Sequence, residues 1–289
     1  MTAIQFGLSI STSAASDADP VGLARRAEQL GFDFISAADH PGGSQPSYET
    51  WTLLAWIAAA TSRIGIATKV LCGPLRLPAL TAKMAETLHR LSNGRLVLGL
   101  GAGFSDDEMR SFGVTWRSPG DKVDGLEESI RIIRGLWAQP AVTFDGRIYR
   151  TDQARIEPKP DRPIPIWLGT FGDRALDLTG RLADGWIPSY GFAPPNVVKP
   201  MRDKVLEAAH RAGRDPGEIT CAYNVEVRVG TDVRNPQIVS GTPEQLAGQL
   251  LAIAELGFTA MNLALVGPGE QDQLELLGRD VIPTVQSAS

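Results

Sequence analysis

The chain has 289 residues, 43% hydrophobic and 21% charged, enough to bury a large core in one big α/β domain or two small ones. Its net charge of −5 gives no electrostatic footprint for nucleic acid, no apolar run is long enough for a bilayer, and the N-terminus MTAIQFGLSIST lacks the basic start of a signal peptide. The two cysteines, Cys72 and Cys221, show neither metal spacing nor a disulfide framework, and His40, His89 and His210 form no zinc-hydrolase pattern; a cytoplasmic chain without a metal site is expected.

Residues 4–10 read as a first strand. Asp19-Pro20 starts a helix, with proline suited to its first position; Leu23, Ala27 and Leu30 give it an apolar stripe, and Gly31 stops it. Residues 32–37 form a second strand ending at Asp39-His40. A helix over 48–61 leads to a third strand over 65–71, broken by Cys72-Gly73-Pro74. The helix over 79–91 carries Leu80, Met84, Leu88 and Leu91 on one stripe.

The fourth strand lies in LSNGRLVLGLGAGF, residues 91–104. Side chains alternate along a strand, so Leu96, Leu98, Leu100 and Ala102 share one face. Val97, Gly99, Gly101 and Gly103 share the other, which is almost bare backbone. Glycine in a strand marks close approach of a ligand or of another backbone, and the residues alone leave that choice open. Residues 105–120 are polar and rich in turn formers. A long amphipathic helix follows over 122–138, then a hairpin over 142–150 turning at Asp145-Gly146, then a proline-rich connection over 153–165. The strand–helix rhythm resumes with strands over 164–168, 185–188, 220–229 and 259–266 and helices over 172–182, 197–212, 243–256 and 271–281.

Eight such units imply a parallel sheet and suit an α/β (β/α)₈ TIM barrel with an insertion after strand four, spanning residues 1–289 as a single domain. A doubly wound open sheet is the alternative. A barrel carries function at the C-terminal strand ends. That singles out Ser9-Ser11, Asp39-His40, Cys72-Gly73, Gly101 to Phe104, Gly169-Thr170 and Trp186. His40 could exchange a proton or hold a ring, or simply cap its strand. Cys72-Gly73 could be a backbone bulge or a plain strand end before Pro74. Gly169-Thr170 precede a helix, whose free N–H groups bind anions. Glu108 could face the site or water. Trp186 is the tryptophan expected near a ligand.

Together these stretches resemble the bacterial luciferase-like family of flavin and deazaflavin oxidoreductases. The matching segments are AEQLGFDFISAADH, LSNGRLVLGLGAGF with Glu108 and Phe112-Gly113, LEESIRIIRGLW with VTFDGRIY, PIPIWLGTFGDRAL, LADGWIP and GTPEQLAGQLLAIAELGF. They run in the family's order over nearly the whole chain. The resemblance implies a flavin-type ring at the strand ends, with coenzyme F420 favoured and FMN as the alternative. It implies hydride transfer to or from a small organic substrate. It places His40 beside the ring, with Asp39 setting its charge state. It places a bulge with a non-prolyl cis peptide near Leu71-Cys72-Gly73, Gly101, Gly103, Phe104 and Glu108 in the ring pocket, and Gly169 and Thr170 at the phosphate. Arg174, Lys199 and Arg202 are candidate contacts for the anionic tail of F420. Many relatives have Arg-His-Pro where this chain has Arg76-Leu77-Pro78. The other activities in view are an FMN-dependent monooxygenase served by a partner flavin or F420 reductase, and a flavin-binding barrel without turnover. The family suggests a homodimer, with no nucleic acid and no membrane as partner.

Overall fold

The computed structural model describes residues 4–115 and 118–288. Eight strands make the sheet around which the chain is wound: β1 (Gln5–Ser9), β2 (Phe34–Ala37), β3 (Gly65–Thr68), β4 (Leu96–Gly101), β5 (Ile166–Leu168), β6 (Gly185–Trp186), β7 (Thr220–Val229) and β8 (Ala260–Leu265). Each pairs in parallel with the next. The ring closes where β8 meets β1, with Gln5 opposite Ala260. The weakest joint is β6 to β7, held by Thr220 opposite Gly185 and Cys221 opposite Trp186. A closed ring has no edge strands, so the open doubly wound sheet is excluded and the (β/α)₈ barrel stands.

The helices α1 (Pro20–Gln29), α2 (Thr50–Ala60), α3 (Pro78–Leu91), α4 (Pro119–Ala138), α5 (Asp173–Leu182), α6 (Pro195–Arg211), α7 (Pro243–Glu255) and α8 (Glu270–Leu276) follow the strands in turn. Their starts are chemically marked. Asp19 accepts from the Gly22 N–H and Pro20 opens α1; Thr242 and Gln245 form a capping box on α7. The fourth helix starts three residues earlier than residue 122. Ser118 and Asp121 make a second capping box with Pro119 at the first position, so a Ser-Pro-Gly-Asp run that resembles a turn is a helix start. The insertion between β4 and β5 holds a short helix (Asp106–Ser111), α4, and the hairpin Val142–Asp145 with Arg150–Ala154. A further strand, Ile238–Gly241, pairs with β7 outside the ring. Among the described residues no helix is long and apolar enough to cross a membrane.

Strand alternation sorts the core into two layers. Leu96, Leu98 and Leu100 point outward into the large cluster between sheet and helices. Inside the barrel a smaller cluster of Phe34, Ala67, Trp167, Ile187, Ala222 and Ala260 fills the floor, with the Phe34 and Trp167 rings edge to face at 5.7 Å. One step further along the same inward faces the residues turn polar. Ser36 donates to Asn262 at 2.9 Å, and Asn262 donates to Asn224 at 2.8 Å. The barrel is therefore plugged with hydrocarbon below and polar above.

Candidate active site

A cavity of about 280 Å³ opens at the C-terminal ends of the strands. Its back wall is made by a break after β3. The strand stops at Thr68, the Lys69–Val70 peptide is cis, and pairing with β4 resumes at Leu71–Cys72. A break was expected at Leu71-Cys72 or Cys72-Gly73; it lies two residues earlier. The glycines of β4 are explained by it. A Cβ at Gly99 would sit 1.9 Å from the Thr68 carbonyl oxygen. At Gly101 it would sit 2.7 Å from a Val70 methyl, and at Gly169 3.1 Å from the same methyl. The close approach is first that of another chain segment, and the cavity wall of Val70, Gly101 and Gly169 is flat because of it. Gly73 faces away, toward the Gly101 carbonyl; it lines a small cleft with Lys122 and Tyr149, and not the cavity.

His40 and Glu108 meet on the rim. Nδ1 of His40 lies 3.0 Å from Oε2 of Glu108. The other carboxylate oxygen accepts the Gly42 N–H at 2.9 Å. Glu108 stands on the short helix after β4, where Ser105 caps its N–H at 3.1 Å. Its side chain is 13% exposed against 58% for His40, so the carboxylate is fixed and the imidazole is reachable. A carboxylate accepts only, so the bond puts the proton of a neutral His40 on Nδ1 and leaves Nε2 as the free nitrogen.

Asp39 does something else. It is 2% exposed and accepts from the Cys72 N–H at 2.8 Å and from both Arg76 nitrogens at 2.6 and 3.2 Å. Asp39 lines the cavity but clamps the far end of the break; Glu108, not Asp39, is the carboxylate on His40. Leu77, in the Arg76-Leu77-Pro78 stretch, is 68% exposed. Cys72 is a wall residue. Burial, first, and the neighbouring Asp39 carboxylate push its thiol up to about 11, so it stays neutral and unreactive.

The lip is aromatic. Phe104 is 75% exposed and contacts Phe192, with centroids 5.6 Å apart; Phe192 meets Phe171 at 5.9 Å. Gly103 lines the cavity with φ +89° and backs onto Met109. Gly169 and Thr170 lie where the sequence places them, just before α5. Thr179 donates to the Ala175 carbonyl at 2.8 Å, so the proton of Thr170 goes to Thr179 at 2.7 Å. The Thr170 hydroxyl thus has no donor for an anion; the first N–H groups of α5 do. Trp186 is a correction. It is fully buried, donates its indole N–H to the Thr170 carbonyl at 2.9 Å, stacks on Phe258 and does not line the cavity.

Of the three tail cations, Arg202 alone is corrected; the other two stand exposed in surface ion pairs. Arg174 pairs with Asp124, and Lys199 with Asp203. Arg202 donates to the Gly257 carbonyl at 3.1 Å, in the loop entering β8 from the opposite end of the barrel. Phe171 of the motif after β5, and Ser189 and Phe192 of the 188–196 loop, line the cavity as well, as do Lys69, Val70 and Asn224, which the sequence reading missed. Two of them carried a signal: Lys69 and Asn224 fall in step with inward-facing Ala67 and Ala222, where a barrel interior would otherwise be apolar.

The model of one protein family, described as luciferase-like monooxygenase, matches residues 1–235. The chain belongs to the luciferase-like monooxygenase family. Membership makes it an oxidoreductase. An F420-dependent glucose-6-phosphate dehydrogenase of Nakamurella multipartita is 29% identical over 98% of this chain and 97% of its own length. Among solved structures, an F420-dependent secondary alcohol dehydrogenase in complex with an F420-acetone adduct superposes with a TM-score of 0.88. It is 23% identical and covers 98% of this chain and 99% of its own. A monooxygenase from Streptomyces bottropensis gives 0.85 at 20% identity over 97% and 99%. At these identities the solved structures speak for the luciferase-like barrel alone.

Proposed function

We propose that the protein exchanges hydride between coenzyme F420 and a small organic substrate. The observation that carries the reading is the His40–Glu108 pair set on the rim of a cavity with a flat wall. The residues present fit a deazaflavin. Val70, Gly101 and Gly169 offer a face with no projecting side chain beyond one valine, suited to a planar ring. Beside that wall the N-terminus of α5, opened by Gly172, presents unpaired N–H groups, the setting in which a phosphate binds. The curated relative named above supports F420 over FMN; a basic track for the tail does not, since Arg174 is engaged.

When bound, the cofactor supplies two-electron hydride exchange and reacts poorly with oxygen. The chain's own residues do the rest. The phenylalanine lip borders the mouth of the cavity. Glu108, held by Gly42, fixes the His40 ring. Nε2 of His40 is then the atom that takes the hydroxyl proton of an alcohol, or returns it to a carbonyl oxygen. His40 and Glu108 act as the proton-transfer pair, and Asp39 as a positioning residue. Cys72, Gly101, Gly103, Phe104, Gly169 and Thr170 make the cofactor's walls, with no metal. The same reading takes residues 1–289 as one barrel domain, since β1 and β8 close the ring from the two ends of the chain, working as a cytoplasmic homodimer.

The test is reduction of F420 by a panel of small alcohols under exclusion of oxygen. Substrate-dependent loss of oxidised F420 is the expected result. The description of the family model favours a second reading, an FMN-dependent monooxygenase supplied by a reductase. Oxygen uptake with reduced FMN and none with F420 would move the protein there.

A further inference from the structure

The break after β3 sends two neighbouring side chains opposite ways. Val70 turns toward Gly101 and Gly169. Lys69 turns toward β1, where its ammonium donates to the Ser9 hydroxyl at 2.7 Å. Asn224 of β7 and Ser189 after β6 also line the cavity, with the Asn224 amide nitrogen 3.3 Å from the Ser189 hydroxyl. Below them Asn224 accepts from Asn262, and Asn262 from Ser36. The polar interior of the barrel and this ammonium thus face the same cavity.

Among the described residues that ammonium has no counter-ion in contact. Lys69 is the only lysine or arginine lining the cavity among the described residues. Of the carboxylates facing it, Glu226 on β7 acts only through space. Glu108 is committed to His40 and Gly42, and Asp39 to Arg76 and Cys72. Cys72 is a neutral thiol. Burial is the larger influence and lowers the Lys69 pKa to about 8. A desolvated cation partnered only by a hydroxyl lacks the compensation that buried charges require. A substrate can bring it.

We propose that Lys69, with Ser189 and Asn224, is the subsite for an anionic oxygen group of the substrate, a carboxylate or a phosphate. The enzyme would then select small alcohols or carbonyl compounds that carry such a group. This rests on reading the cavity as the substrate pocket, and it adds the class of substrate to that reading.

The experiment uses matched pairs differing only in the charged group: lactate against 2-propanol, and glycerol 3-phosphate against glycerol. Calorimetric titration of the full chain, with and without F420, reads binding directly. The wild type should bind the anionic member of at least one pair about 10–100-fold tighter, the worth of a hydrogen bond to a charged group; which pair responds separates carboxylate from phosphate. Lys69→Met should abolish the preference while leaving F420 affinity, read by fluorescence, unchanged. In the wild type the preference should also fade as pH rises above about 8, where the ammonium loses its proton, a check that needs no variant. Equal binding of charged and neutral partners, a preference that survives in Lys69→Met, or one flat across that pH range would overturn the subsite. The titration without cofactor decides this point even if F420 does not bind, a result that would instead sink the hydride-transfer reading.

Discussion

Replacing Gly99 by alanine is the sharpest test of how the cavity wall is built. The added methyl would lie 1.9 Å from the Thr68 carbonyl oxygen, so one of the two backbones must move by about 1 Å to reach even a tight contact. Neither is free to do so. β3 and β4 are paired, with Ala67 opposite Val97, and the Thr68 hydroxyl donates to the Gly99 carbonyl at 2.7 Å. The cost falls at the upper end of overpacking, about 3 kcal/mol, or roughly 5–10 °C in midpoint for a chain of this size. Gly101→Ala meets only a side-chain methyl of Val70, at 2.7 Å. Rotation of that side chain relieves it at about 1 kcal/mol. Thermal unfolding followed by circular dichroism gives the two midpoints, and F420 fluorescence gives the affinities. Gly99→Ala should lose more of both. A Gly99→Ala protein with wild-type midpoint and affinity, or one less damaged than Gly101→Ala, would refute the claim that β4 glycines accommodate the break.

His40→Ala should lower the hydride-transfer rate about 10²–10⁴-fold, the usual worth of a positioned acid or base, with a much smaller change in F420 affinity; stopped-flow reduction at saturating cofactor separates the two. Asp39→Ala leaves the Cys72 N–H without its acceptor and Arg76 with Glu49 alone, and should cost about 1–3 kcal/mol of stability in denaturant unfolding. Burial holds the Lys69 pKa in the folded chain at about 8, below the ordinary lysine value of 10.5, so the folded chain binds fewer protons between those values and wild-type stability rises with pH there. Lys69→Met should therefore stabilise the protein by about 1–3 kcal/mol at neutral pH, and the gain should shrink from about pH 8 to pH 10.5; a gain that grows with pH would reverse the sign of the argument.

Much of this architecture is legible in the sequence because it rests on short-range rules. Eight strand–helix alternations with caps at Asp19 and Thr242 give the barrel, and a histidine after the second strand gives the rim. What is hidden is decided by contacts between distant segments. The glycines of β4 announce a close approach, but only the fold shows that the guest at Gly99 is the Thr68 carbonyl. Asp39 and His40 are neighbours in the chain, so pairing them is natural; a strand end sends them to different partners, Arg76 and Glu108. Trp186 sits at a strand end, yet a strand of two residues turns its ring into the layer against Phe258. Lys69 is the residue most easily passed over, because a lysine near a strand end reads as solvated until the register shows its side chain directed toward β1.

The central claim is tested most directly by titrating the protein with coenzyme F420 and FMN side by side, following cofactor fluorescence. Tighter binding of F420 is the predicted result, weakened when Gly99 is replaced by alanine and retained when His40 is. Tighter binding of FMN, with oxygen consumed once it is reduced, would contradict the account and make the protein a flavin monooxygenase.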